Sequence, residues 1–294
     1  MIELKRFPNG RKTPTKVGSV FKIEPPQSST QTEAAMMAMS RDRNIQILLG
    51  ITLLAVIAAG LAPAIPQNPA YHQFADQGTL LGIPNFWNVA TNLPFLAVGL
   101  AGVRELYHGR PVIVPELWLA YLIFFVGVAL VGPGSAYYHL SPANDTLVWD
   151  RLPMTLAFMA FLSIIVGEYI AVATGRRLLS PLLLAGIGSV LYWHVSERLG
   201  HGDLRWYGLV QFLPMLLIPL IMLMFRPRYT GAAYLWAMLG AYLAAKVAES
   251  LDGPILRALY PVSGHALKHL LAALGVYGFL VAIRQRKLEN SEQF

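Results

Sequence analysis

The sequence predicts an all-α polytopic membrane protein, a seven-helix core bundle preceded by one further N-terminal transmembrane helix. Three observations carry this reading. Of 294 residues, 55% are hydrophobic and only 13% charged, with a mean hydropathy of +0.49, whereas soluble domains carry about 25% charged residues. The charges fall mostly between apolar runs, where water-filled loops hold them cheaply. Finally, eight apolar segments follow one another from residue 45 to residue 283, each near the roughly 20 residues needed to cross the hydrocarbon core.

In chain order, residues 1–43 are basic and rich in Ser, Thr, Pro and Gln, which predicts a mostly disordered tail. The first apolar run starts too far along the chain, and is too long, for a cleaved signal peptide. That run, 45–65, forms the extra helix, assigned to 44–66. The core, 84–288, holds the segments 86–103, 116–138, 152–173, 178–195, 206–225, 231–249 and 264–283. Pro94, Pro133 and Pro214 lie inside them, as membrane helices tolerate.

Positive charge sets the orientation. With the N-terminus inside, the tail, Arg104, Arg110, Arg176, Arg177, Arg226, Arg228, Arg284, Arg286 and Lys287 all lie on the inner side. Arg151, Arg198, Arg205, Lys246, Arg257 and Lys268 are left outside, and 66–85 has no Lys or Arg. The positive-inside rule therefore predicts two cytoplasmic termini, as in a bacterial inner-membrane protein. The pI near 9.6 does not indicate nucleic acid, because the cations are dispersed among loops rather than gathered on one surface. There is no cysteine, so disulfides and thiolate metal sites are excluded, and any metal must use His and carboxylates.

Polar residues at membrane depth are functional candidates by default. Ser135 and His139 end the third segment four residues apart, on one helix face. Asp150 opens the fourth. His265 and His269 open the eighth at the i, i+4 spacing by which a helix offers a metal two imidazoles; alone, such a pair also suits an interfacial water layer. Topology strengthens the metal reading, because the third segment ends outside while the fourth and eighth begin there. His139, Asp150, His265 and His269 thus share one level. Three neutral imidazoles with an open position suit a catalytic zinc, a carboxylate beside them suits general-base work, and a Ser hydroxyl suits an oxyanion contact. Asn88 and Asn92, also four apart, enter from the same side. Interhelical hydrogen bonding is their plain reading, and orienting a ligand or carboxylate is the alternative.

Phe86-Trp87-Asn88 with Thr91-Asn92, Ser135-x-x-x-His139, Asp150 in an Asp-x-Leu-Pro-Met setting and His265-x-x-x-His269 together resemble the alkaline ceramidase family. That family sits in the wider group of seven-helix membrane proteins that includes the adiponectin receptors. The resemblance spans about residues 84–286. It implies a seven-helix bundle holding one zinc through His139, His265 and His269, in which water attacks the amide of ceramide to give a sphingoid base and a fatty acid. Asp150 would serve as base and then acid, and Ser135 would help bind the metal or the oxyanion. The extra helix departs from the family. So does the calcium site of eukaryotic members, an acidic cluster for which this chain offers mainly Asp76 and Asn85; that argues against calcium.

The implied partner is a membrane lipid substrate within the bilayer. Rival readings are a seven-helix receptor with the same metal set and a proton-coupled transporter using His and Asp as a relay. His108 and His72 read as solvated or surface residues. His194 and His201 lie near Glu197 and Asp203 and are minor metal candidates. Lys246 and Glu249 read as an ion pair, with a substrate-headgroup role for Glu249 or Asp252 as the alternative.

Overall fold

The computed structural model describes residues 27–289, and among them the chain is helical without a β-strand. Two units divide at Arg43 and Asn44, and every residue of the site discussed below lies in the second, Asn44–Phe294. Residues 1–26 of the predicted tail lie outside the described residues. Residues 27–43, also read as tail, instead open a helix, α1 (Gln27–Leu61); Ala, Met, Gln and Arg run there without Gly or Pro to stop it.

Seven helices are long and apolar enough to cross a membrane, as an integral membrane protein requires. They are the apolar part of α1, the pair α2 (Phe86–Ala90) and α3 (Leu93–His108) acting as one span, α4 (Trp118–Leu140), α5 (Asn144–Tyr169), α6 (Val172–Arg198), α7 (Arg205–Met224) and α10 (Gly264–Gln285). The remaining expected segment, 231–249, is also a helix, α8 (Ala232–Ser250). Its 19 residues suffice for a span by length, and Lys246 and Glu249 lie in its last turns. A short α9 (Asp252–Leu259) joins α8 to α10. Arg176 and Arg177, read as loop cations, lie inside the first turns of α6, which starts at Val172.

α5 is the central helix, packed on α4, α6 and α7, while α10 packs on α8 and α3. The middle of the bundle is a nest of rings, with Phe279 against Phe124, Phe125 and Phe161. At the end away from the site, Arg286 is buried rather than free in a loop. Its Nη1 and Nη2 reach Glu168 at 3.0 and 2.6 Å, and its Nε donates to the Val112 carbonyl. The apolar part of α1 is barely buried and is held at its middle and at its C-terminal end. Asn44 donates to the Met224 carbonyl at the end of α7, and Arg205 donates to the carbonyls of Ala59, Gly60 and Ala62. These last carbonyls have no partner within their own helix. The same Arg205 bonds Asp203 and holds its carboxyl down at about 2.

Two glycines set the close approaches that assemble the site. A Cβ at Gly134 would lie 2.1 Å from the Trp149 carbonyl oxygen, so only glycine lets the end of α4 meet the start of α5. A Cβ at Gly264 would lie 2.1 Å from the Ala248 carbonyl, where α10 starts against the end of α8. Gly134→Ala should therefore destabilise the fold in detergent by about 1–3 kcal/mol, the usual cost of overpacking. Gly188→Ala, with nothing within 4 Å of the new methyl, should be neutral or stabilising. Equal unfolding temperatures for the two variants would remove Gly134 from this role.

Candidate metal centre

The three predicted histidines converge. His139 comes from the last turn of α4, and His265 and His269 come from the first turns of α10. Their ring centroids stand 4.9, 5.0 and 5.1 Å apart, a near-equilateral triangle. One ring nitrogen from each lies within 4.8 Å of the others. All three side chains are buried, yet Nδ1 and Nε2 of His139 and Nε2 of His265 have no hydrogen-bond partner among the described residues. Buried polar atoms are normally satisfied. Neutral imidazoles whose lone pairs meet at one point are the donor set that a divalent metal satisfies, so the residues present fit a metal ion.

The sequence around each ligand holds it in place. Ser263, the N-cap of α10, accepts from the backbone N–H of Ala266, and Asp252 accepts from the backbone N–H of His265 at 2.7 Å. Asp252 also accepts from the Ala75 N–H, tying the 62–85 segment to the site. Thr91 donates its hydroxyl to the Trp87 carbonyl at 2.6 Å. Its oxygen then accepts from His269 Nδ1 at 3.0 Å, so the proton sits on Nδ1 and Nε2 is left free. Such a hydrogen bond fixes the tautomer and ring orientation of a ligand.

Ser135 and Asp150 are both buried. Both line, with His269, a chamber of about 530 Å³. Its deeper wall is apolar, built from residues such as Phe124, Phe161 and Val276. Its polar lining includes Lys246, Glu249, Lys268 and Arg151. Glu249 accepts from both Lys246 and Lys268, so the expected i, i+3 pair is a three-residue network.

Asn88 and Asn92 face the bundle interior but reach no imidazole. Asn88 donates to the Asp76 carbonyl and accepts from Ser263, and Asn92 donates to the Asn88 carbonyl. Their hydrogen bonds link the start of the α2–α3 span to the 62–85 segment and to the cap of α10. Asn85 donates to the His139 carbonyl. Asp76 caps Gly78 through one carboxylate oxygen and leaves the other buried without a partner.

His72 is not a free surface residue: it bonds Tyr138 and Asn144, each at 2.9 Å. His194 lies 3.7 Å from Asp145, outside the triad, and His201 is exposed. Sequence reasoning named Thr91 in the motif that carries the resemblance but gave it no role, and missed its contact with His269. It also missed Phe74, packed at 4.7 and 4.6 Å on the rings of His139 and His265; a lone aromatic in a loop gives no signal at all.

A protein-family model described as Ceramidase matches residues 81–251, more than half of the chain. The matched stretch contains Ser135, His139 and Asp150 and ends before α10, so the place of His265 and His269 in the site rests on their geometry. No curated protein matches the sequence.

His269→Ala should remove the bound metal, read as metal per chain by elemental analysis of purified protein. Thr91→Val, which keeps the shape but not the hydroxyl, should weaken metal affinity by about 10–100-fold, the usual cost of losing a ligand's outer partner. An unaltered metal content in the triple Ala variant of His139, His265 and His269 would move the site elsewhere.

Proposed function

The chain belongs to the ceramidase family, whose members are hydrolases acting on amide bonds, and on that footing we propose that it is a zinc-dependent intramembrane amidohydrolase. It cleaves ceramide-like lipids to a sphingoid base and a fatty acid. The single observation that carries this is the shape of the chamber. One cavity is apolar along its depth and, at its polar end, presents His269, Ser135 and Asp150 together. A lipid amide has the same two-part character: long chains, and one polar linkage to be cut. A bound metal argues against the transporter reading, and turnover of a lipid amide separates the enzyme from a receptor with the same metal set.

Zinc is the metal of choice, because a cysteine-free set of three imidazoles suits its borderline character and leaves a position open. When bound, zinc supplies Lewis-acid polarisation of the amide carbonyl and acidifies water at the site. The other tasks fall to side chains. Asp150 takes a proton from the attacking water and returns it to the amine as the C–N bond breaks. Ser135 orients the Asp150 carboxylate and is placed to donate to the developing oxyanion. The apolar wall excludes water, which strengthens each electrostatic contact. Chain entry is lateral, between α7 and α8. These helices both line the chamber yet barely touch, and Gln211 reaches Tyr242 across them at 3.3 Å.

The reading also assigns both termini to the cytoplasm and the site to the outer leaflet, on the strength of the positive-inside distribution. It divides the chain into a basic N-terminal stretch 1–43, whose last part opens α1, the extra transmembrane segment 44–66 and the hydrolase core 84–288.

Asp150→Asn keeps the size of the side chain and removes the base. Ceramide turnover should fall by about 10²–10⁴-fold with the metal content unchanged, whereas His269→Ala should lose both together. Wild-type turnover in Asp150→Asn would overturn the mechanism. Sidedness has its own measurement. Cysteines introduced singly at the exposed Asp145 and Arg176 should react with an impermeant reagent in intact cells at 145 and not at 176. Arg176 serves better than its neighbour Gly175, which packs against Gly167. The opposite labelling pattern would reverse the orientation.

A further inference from the structure

We propose that Arg151 and Gln67 form a carboxylate-binding subsite at the polar end of the chamber, beside the scissile position. The inference rests on the chamber being a lipid-amide site, as argued above, and adds which lipids it favours. Arg151 follows Asp150 on α5, lines the chamber and is only 5% exposed. Its guanidinium lies 4.2 Å from the Trp193 ring centroid, 4.5 Å from that of Tyr207 and 5.7 Å from that of Tyr71. Nη2 donates to Gln67 Oε1 at 2.7 Å, and Nη1 is buried with no partner.

The charge around Arg151 is what sets it apart. The chamber's other cations are matched: Arg205 by Asp203, and Lys246 and Lys268 by Glu249. Among the described residues no carboxylate pairs with Arg151. Glu197 lies behind the aromatic cage, but it accepts from the Gln67 backbone N–H at 2.6 Å and from Trp193 Nε1 at 3.2 Å. It thus holds the cage and not the guanidinium. A buried cation at membrane depth is costly unless it is paired, and rings recover only part of that cost. The cage fixes the guanidinium plane, and a planar anion with two oxygens is the ligand that an arginine fork matches best. A carboxylate reaches this point from one of two sources. It is either an acidic group on the amine side of the lipid amide or the fatty acid released by hydrolysis.

The test uses the purified full chain in nonionic detergent and a matched pair of amides, N-palmitoylglycine and N-palmitoylethanolamine, with palmitate and hexadecanol as binding probes. If the acidic substrate is the source, wild-type kcat/KM favours the glycine amide by about 10–100-fold, the weight of a charge-assisted hydrogen bond. Arg151→Gln then brings the ratio near one, mostly through KM. If the product is the source, the two amides turn over alike. Palmitate then binds wild type more tightly than hexadecanol does, by calorimetry, and Arg151→Gln abolishes the difference. Arg151→Lys should retain part of either effect, and Gln67→Leu, which frees the guanidinium, should weaken it; these two keep the test open if Arg151→Gln does not fold. An amide ratio and a palmitate preference that are both unchanged in Arg151→Gln would overturn the subsite. Tight, Arg151-dependent palmitate binding without turnover of any amide would leave the subsite standing and remove the hydrolase reading.

Discussion

Three imidazoles lie buried together in the bundle, one ring nitrogen of each within 4.8 Å of the others, and among the described residues both nitrogens of His139 and Nε2 of His265 have no hydrogen-bond partner. In a low-dielectric interior each such atom costs free energy comparable to a lost hydrogen bond. A fold that gathers several at one point needs a group to share them. Much of the surrounding structure serves that gathering. Gly134 and Gly264 let α4, α5, α8 and α10 approach closely enough. Asp252 and Ser263 hold the start of α10, Thr91 orients His269, and Phe74 packs against two of the rings.

The chamber gives that centre its context. On the proposed function, its apolar depth and polar end would place a lipid so that its polar linkage meets His269, Ser135 and Asp150, which line the same cavity. The polar end is itself uneven. It holds a neutralised network in which Glu249 binds two lysines, and an arginine whose one hydrogen-bond partner among the described residues is Gln67. The proposed subsite would make the arginine the point at which lipids with the same acyl chain are told apart. Chain length is a matter for the apolar wall.

Much of this was legible in the sequence, because membrane topology converts spacing into depth. His139 at the end of one span and His265 and His269 at the start of another had to share a level once the spans were ordered. Asp150 and Ser135 followed by the same logic. What was not legible depends on tertiary packing or on irregular chain. Residues 62–85 have no helical periodicity, so nothing in them marked Phe74 as a cover for the triad or His72 as a bridge to Tyr138 and Asn144. Arg151 and Arg286 both read as loop cations, since a sequence shows that a residue lies near a helix end but not which way its side chain turns. Asn88 and Asn92 were seen to face inward. Which of the neighbouring polar residues would meet an imidazole turned on helix rotation, and that place went to Thr91.

The claim on which the account stands is that the triad is the centre of an amide-cleaving enzyme. The most direct measurement is mass spectrometry of the lipids formed when the purified chain is incubated with ceramide, before and after stripping with a chelator and again after adding zinc. The account predicts a sphingoid base and a fatty acid in equal amounts, lost on stripping and regained with zinc. Ceramide left intact by fully metal-loaded protein, or cleaved equally well after the metal is stripped, would contradict it.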